Sequence, residues 1–326
     1  MKYFIYLLVL MVVSGASTTE VHAQASPRPG QPPSDILAQL AAISPGYPKV
    51  FRFRRGRYRL PAGGHFQGIQ SDTSGRFLTL SASSDSVAYC IEADLNRGKL
   101  VGVSMLGGAP LRHAGGIQRW GHYLAVGIED NHLRTRSEVL ICKTGSGTGG
   151  WLQPVHRIRR TGEYERATAG AVALAAVSDT FVLVVGSWHS ASLDVYLSNG
   201  VAPEDPHCRF SLRTSWKLGQ ARRDAWSDTA YASYQNLNLL PGADGRLWLV
   251  GFAREEGRHL MDVFELRLQA GLAESERLVK VMRREFVPRR SDFSAGAGLH
   301  LRPDGSLGVW SCHHHKGIVE YFGSSQ

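Results

Sequence analysis

Along most of this chain apolar and polar residues alternate in short runs, the two-residue period of strands with one face buried. Met261-Asp-Val-Phe-Glu-Leu266 and Leu278-Val-Lys-Val-Met282 are examples. The runs are organised into a phrase that occurs five times. His65-Phe-Gln-Gly-Ile-Gln70 leads into Phe77-Leu-Thr-Leu80, and His113-Ala-Gly-Gly-Ile-Gln118 leads into Tyr123-Leu-Ala-Val126. Looser copies follow at Thr168-Ala-Gly-Ala-Val172 with Phe181-Val-Leu-Val-Val185, Ser233-Tyr-Gln-Asn-Leu237 with Leu247-Trp-Leu-Val250, and Ser294-Ala-Gly-Ala-Gly-Leu299 with Leu307-Gly-Val-Trp310. Repeats of this length built from short strands predict a radial β architecture, because no repeat buries both of its faces alone.

Each full repeat supplies four strands, in the first at 65–70, 77–83, 86–92 and 99–105. Ser74-Gly75, Asp244-Gly245 and Asp304-Gly305 punctuate the turns between first and second strands. The fifth repeat ends with Gly317-Ile-Val-Glu-Tyr-Phe322 and lacks its outermost strand. A spare strand, Lys49 to Leu60 with a bulge at Arg55-Gly56, precedes the first repeat. Matching the spare strand to the gap predicts an all-β fold, a five-bladed β-propeller closed by an N-terminal strand. It would occupy residues 49–322 as a single domain, with 323–326 as a tail. Closure also leaves no open sheet edge. A six-bladed ring and a β-sandwich are the alternatives.

Upstream, Lys2 and the apolar run Phe4–Val13 read as a Sec-type signal peptide over residues 1–25, cleaved after Ala23 or Ala25. The run is too short to span a bilayer of about 30 Å, and no cysteine near it suggests a lipid anchor. A secreted or periplasmic protein without a transmembrane segment is expected. Residues 26–48 read as a Pro-rich leader (26–34) and a short helix, Asp35 to Ile43, capped by Ser34 and ended by Pro45-Gly46.

The formal charge of +9 suggests affinity for anionic surfaces or polymers, but the basic residues are spread out and mostly arginine. Arg52, Arg54, Arg57 and Arg59 on an outer edge read first as guards against edge-to-edge pairing, and second as a polyanion site. Of the four cysteines, Cys90 and Cys142 occupy matching strands of neighbouring repeats. Neighbouring sheets lie about 10 Å apart, and a disulfide needs Cα atoms within about 7 Å. That pair is therefore disfavoured, a Cys208–Cys312 bridge stays open with nothing positive to link the two, and buried free thiols are expected.

In a radial β ring the first strands line a central channel, and the loops between second and third strands return to the face where those strands begin. That face would gather His65, Gln67, His113, Gln235 and Ser294 with Glu129, His189, Arg254 and the His313–His315 loop. The opposite face receives the short Gly/Asp turns, which read as plain connections. The expected ligand-binding set is His65, Gln67, His113, Glu129, His189, Gln235, Arg254 and His313. His65, His113 and His189 would be the ligands of a divalent metal such as Zn²⁺, since imidazole suits borderline metals. The competing reading is structural: polar side chains at strand starts satisfy backbone groups around the channel.

The repeat layout resembles secreted bacterial β-propellers over residues 49–322, at the level of architecture. Five-bladed glycosidases of that kind carry acidic residues around the channel, where this chain has His, Thr and Ser, so glycoside hydrolysis loses support. Six-bladed lactonase-like propellers hold calcium with Glu, Asn and Asp. Here Asn236 and Asn238 fall in one repeat, and a His-rich rim suits Ca²⁺ poorly. Gly145-Ser-Gly-Thr-Gly-Gly150 lacks the Gly-Lys-Ser/Thr ending of a phosphate loop. No Gly-x-Ser-x-Gly elbow occurs. Strand-borne aromatics give no platform for nucleic acid. The sequence thus predicts an exported propeller that binds a small or polymeric ligand at a His-rich channel mouth. The alternative is a hydrolase or lyase with a rim histidine as general base, with or without the metal.

Overall fold

The computed structural model describes residues 35–147, 150–220 and 223–324. The signal-like segment, the Pro-rich leader and Ser34 lie outside the described residues, as do Thr148 and Gly149 of the glycine-rich turn. A helix, α1 (Ile36–Ala42), comes first. Its N-cap is Asp35, whose carboxylate accepts the amide of Ala38 at 2.9 Å. The expected cap was one residue earlier. The described residues are otherwise almost all strand and turn.

The strand β1 (Lys49–Arg52) precedes four-stranded antiparallel units laid out in chain order. The first is β2 (His65–Ser71), β3 (Phe77–Ser83), β4 (Val87–Asp94) and β5 (Lys99–Gly108). The second is β6 (His113–Trp120), β7 (Tyr123–Glu129), β8 (Arg136–Gly147) and β9 (Gly150–Thr161). The third is β10 (Ala171–Val177), β11 (Thr180–Gly186), β12 (Ser192–Ser198) and β13 (Phe210–Lys217), joined to the second in one eight-stranded sheet by a parallel bridge between Ala171 of β10 and Gly116 of β6. The fourth is β14 (Asn236–Pro241), β15 (Leu247–Glu255), β16 (Arg258–Leu266) and β17 (Leu278–Phe286). The last joins β18 (Ala297–Leu301), β19 (Leu307–Cys312) and β20 (Ile318–Phe322) to β1, which pairs antiparallel with β20 from Lys49↔Tyr321 to Arg52↔Ile318. The fold is all-β and propeller-like.

The expected strand 49–60 is shorter in the structure, and the reason is geometric. After Arg52 the chain leaves the edge of β20 and crosses to the first unit. The Phe53 amide donates to Gly317 O at 2.9 Å, Arg54 exchanges backbone bonds with Gly98 and Leu100, and the Tyr58 hydroxyl donates to Val101 O. The expected bulge at Arg55-Gly56 is a turn, with Gly56 at φ +58°. Arg52, Arg54, Arg57 and Arg59 are all exposed.

The core is distributed between units. Ala88, Cys90 and Leu106 pack with Ile117, Leu124 and Cys142 between the first and second. Val172 and Leu183 join Ala125 and Ile141 between the second and third. A larger cluster around Trp216, Trp226, Tyr234 and Phe264 joins the third to the fourth. Ile36, Leu40 and Ile43 of the helical segment are buried with Phe252, Phe286, Phe293 and Phe322 between the fourth and last. Phe53, Leu80, Trp310 and Tyr321 join the last unit to the first. The innermost strands β2, β6, β10, β14 and β18 touch in that order, and β18 touches β2. All four cysteines are buried and free. No helix among the described residues is long and apolar enough to cross a membrane.

Candidate functional site

Close approach of the inner strands shapes the site. A Cβ on Gly116 would come within 2.3 Å of Gln235 O, and one on Gly296 (φ +145°) within 2.8 Å of Gly68 Cα. Only glycine fits such contacts, which gives the Gly-Gly and Ala-Gly pairs of the repeats a physical role. The Gln235 amide Nε2 then donates to Gln67 Oε1 at 2.6 Å and Gln67 O at 3.2 Å, joining the first and fourth units. At the expected channel mouth the strand starts of the first and fourth units are thus tied together by the Gln67–Gln235 bond.

Around this bond, polar side chains tie each unit to the next. Ser83 Oγ donates to Ala114 O at 3.2 Å and lies 3.1 Å from His113 Nδ1. Glu129 accepts the Ala169 amide at 2.7 Å. His189 Nδ1 lies 3.0 Å from Ser233 Oγ, and Ser190 Oγ donates to Tyr234 O. Arg254 pairs with Asp292 at 2.7 Å. The Phe66 amide donates to His314 O, and His315 Nδ1 sits 3.3 Å from Gly64 O. Much of the expected ligand set is therefore occupied in joining sheets, with Glu129 and Gln235 bonded to backbone and His113, His189 and Arg254 to other side chains.

What remains free for a ligand is narrower. The His65 ring lies 6.3 Å from both His113 and His315, and Trp188 stands edge-on to His113 at 6.4 Å. Arg134 covers one Trp188 face at 3.9 Å. Burial lowers the pKa of His65, and it takes His113 down to about 4, with His65 adding repulsion. Both imidazoles are neutral at pH 7. Because Ser83 gives its hydroxyl proton to Ala114 O, His113 Nδ1 carries a proton towards Ser83, leaving Nε2 as acceptor. Burial raises Glu129 to about 7, opposed by the Ala169 bond. It faces His113 directly across β6 and β7. A cavity of about 410 Å³ beside this mouth is bounded by Leu60–Gly64, Phe66, Tyr89, His314 and His315.

Three expectations change. His313 does not reach the mouth: its Nδ1 accepts the amides of His315 and Lys316 and fixes the turn, while His314 contacts Ser294 and His315 approaches His65. His65, His113 and His189 do not form a metal-ligand set. His189 is held by Ser233, and among the described residues no group of three or more His, Cys, Asp or Glu is placed to hold a metal. The opposite face also holds more than plain connections. A cavity of about 400 Å³ opens there at the ends of β2, β6, β14 and β18, lined by residues that include Gln70, Arg119 and His300. Sequence reasoning had one available signal for it, the Gln at the end of both His-initiated phrases.

No protein-family model matches the sequence, and no curated protein matches it. Solved structures with some likeness include an endo-arabinase from Bacteroides thetaiotaomicron, at 10% identity and TM-score 0.46 over 85% of this chain and 97% of that one. An α-L-arabinofuranosidase from Podospora anserina gives 10% identity and TM-score 0.45 over 86% and 96%. The Swd1 β-propeller domain from Myceliophteria thermophila gives 12% and 0.38 over 82% and 98%. At these values no chemistry carries over to this chain.

Proposed function

We propose that this chain is an exported, five-bladed β-propeller, closed by β1, that binds a neutral, hydroxyl-rich ligand at the histidine mouth. One observation carries the reading: the uncharged imidazoles of His65 and His113 lie 6.3 Å apart with the half-buried Trp188 6.4 Å from His113, at the strand starts that the Gln67–Gln235 bond ties together. The His113 Nε2 lone pair suits a hydroxyl donor, and an indole edge adds apolar contact. Export rests on the signal-like segment, which favours the periplasm or the outside of the cell. The basic outer edge fits a guard against sheet extension, with Arg52 exposed on the terminal strand.

The test is calorimetric titration of the protein with a panel of neutral oligosaccharides. Trp188→Ala and His65→Ala should each weaken binding by about tenfold, the scale of one aromatic or hydrogen-bond contact. Absence of binding across the panel would overturn the ligand class.

The second reading is a hydrolase or lyase with His113 as general base. It is favoured by the opposed perturbation of His113 and Glu129, since neighbouring groups driven apart in pKa supply a base and an acid at one pH. Such an enzyme would lose rate as pH falls through about 4, and His113→Ala would abolish it. A binding protein would show no turnover at any pH.

A further inference from the structure

We propose that the cavity at the opposite end of the inner strands is a second, separate site, which binds a small carboxylic acid with an apolar body and a hydroxyl group. The cavity, about 400 Å³, has the volume of a small-molecule pocket. It is built by strand ends that sequence patterning marks only as connections.

Four buried polar atoms on its lining residues have no protein partner: Gln70 Nε2, Ser71 Oγ, Arg119 Nη1 and His300 Nδ1. Gln70, Ser71 and His300 are at least nine-tenths buried, with 3%, 8% and 6% of their surface exposed. Buried groups of this kind cost about 1–3 kcal/mol each when left unpaired. Their neighbour Gln118 shows the contrast. Its Oε1 accepts the amides of Leu174 and Leu239, and its Nε2 donates to Leu239 O.

The unpaired groups make a readable pattern. Arg119 is held by Nε on Gly121 O at 3.1 Å and Nη2 on Thr144 Oγ1 at 3.0 Å, leaving Nη1 over. Among the described residues no carboxylate lies within ion-pair distance of it. Asp72, the acid on the cavity wall, is engaged by the Phe77 amide and the Ser74 hydroxyl, and Glu92 on the other side of Arg119 acts on it only through space. Arg119 Nη1 from β6 and Gln70 Nε2 from β2, which lies against Gly298 of β18, are two separate donors for the two oxygens of a carboxylate. His300 contributes the opposite polarity. Its Nε2 faces Thr73 O at 3.3 Å and so carries the proton, which leaves Nδ1 as an acceptor for a ligand hydroxyl. Trp120, Leu240, Leu299 and Leu301 supply the apolar wall. An inorganic anion would leave that wall and His300 unused.

The experiment is calorimetric titration of the full chain at pH 7.5 with 4-hydroxybenzoate and with 3-phenyllactate, a flat and a flexible member of the class. 4-Hydroxybenzamide, the uncharged counterpart, is the control. We expect saturable binding of at least one acid, and at least about tenfold weaker binding of the amide, the cost of losing a charge-assisted pair. Arg119→Met should weaken the acid by a similar factor while far-UV circular dichroism stays unchanged. If that variant does not fold, the comparison of acid with amide on the native chain decides alone. Failure of both acids to bind, equal binding of acid and amide, or a folded Arg119→Met with native affinity would each overturn the proposal. None of these results bears on the histidine mouth, whose ligands are uncharged.

Discussion

Glu129 and His113 face each other across one strand pair and respond to pH in opposite senses. Glu129 would titrate near 4.5 when unfolded and titrates near 7 in the fold. The folded chain holds the extra proton between those values. Stability from this group is therefore full below 4.5 and lost as pH rises through 7, by about 3 kcal/mol at most. Glu129→Gln keeps an oxygen for the Ala169 amide and removes the ionisation. It should match the native protein near pH 5 and exceed it by about 2–3 kcal/mol at pH 8 in urea unfolding. A difference that stays constant with pH would show that the carboxyl does not titrate in this range. His113 works the other way, with a folded value near 4 against 6.5. Its contribution is present above 6.5 and lost as pH falls through 4, so His113→Gln should flatten the acid limb of the stability profile. At this scale the sequence was legible in kind and not in detail. It marked a histidine-rich rim, but took His313 from a run of three whose side chains diverge. The structure uses His313 to fix the turn, sets His314 against Ser294 and brings the exposed His315 near His65. Arg119 and His300 stayed hidden because nothing local distinguishes a strand-end residue over a cavity from one in solvent.

The strands themselves were easier to read, since a period of two and Gly-containing turns are local signals. What locks the elements together was not. In three units a buried carboxylate on the third strand reaches back to the segment that enters the same unit. Asp194 binds Arg166, Asp262 accepts the Tyr234 hydroxyl, and Glu320 accepts the amides of Arg289, Arg290 and Ser291. These partners lie 28 to 31 residues apart, beyond any local pattern. In the fourth unit Asp262 also holds Arg283 at 2.7 Å and the fully buried Lys280 at 3.2 Å. The two ends of that network are not equivalent. Asp262→Ala leaves the buried Lys280 with Asp228 at 2.8 Å and the Ala230 carbonyl and frees Arg283, which should cost about 3–5 kcal/mol. Lys280→Met leaves Asp262 with Arg283 and Tyr234 and should cost about 1 kcal/mol or less. Urea denaturation of the two variants checks the asymmetry, and equal losses would refute it.

At the scale of the whole molecule, the spare strand and the missing strand were the sequence's most useful clue, because a radial array has to dispose of two edges. The structure pairs β1 with β20 and then carries the chain onward to β5. The helix before it is buried between the fourth and last units, so residues 36–60 run as one strap across two inter-unit boundaries. Phe53 sits where the strap crosses from the last unit to the first. It is 7% exposed and packs in the cluster that contains Trp310, Tyr321 and Leu80. Emptying that position should cost about 3–5 kcal/mol, as for other buried aromatics. The location of the damage is more telling than its size. If the ring is closed by this seam, hydrogen exchange in Phe53→Ala should quicken first in residues 49–60 and 318–322. The strands β10 to β12, on the far side, should keep native protection until global unfolding. Uniform loss of protection would mean that the strap is one part of an undivided core, with no seam. Unchanged exchange at 318–322 would mean that β1 covers an edge without holding the ring together.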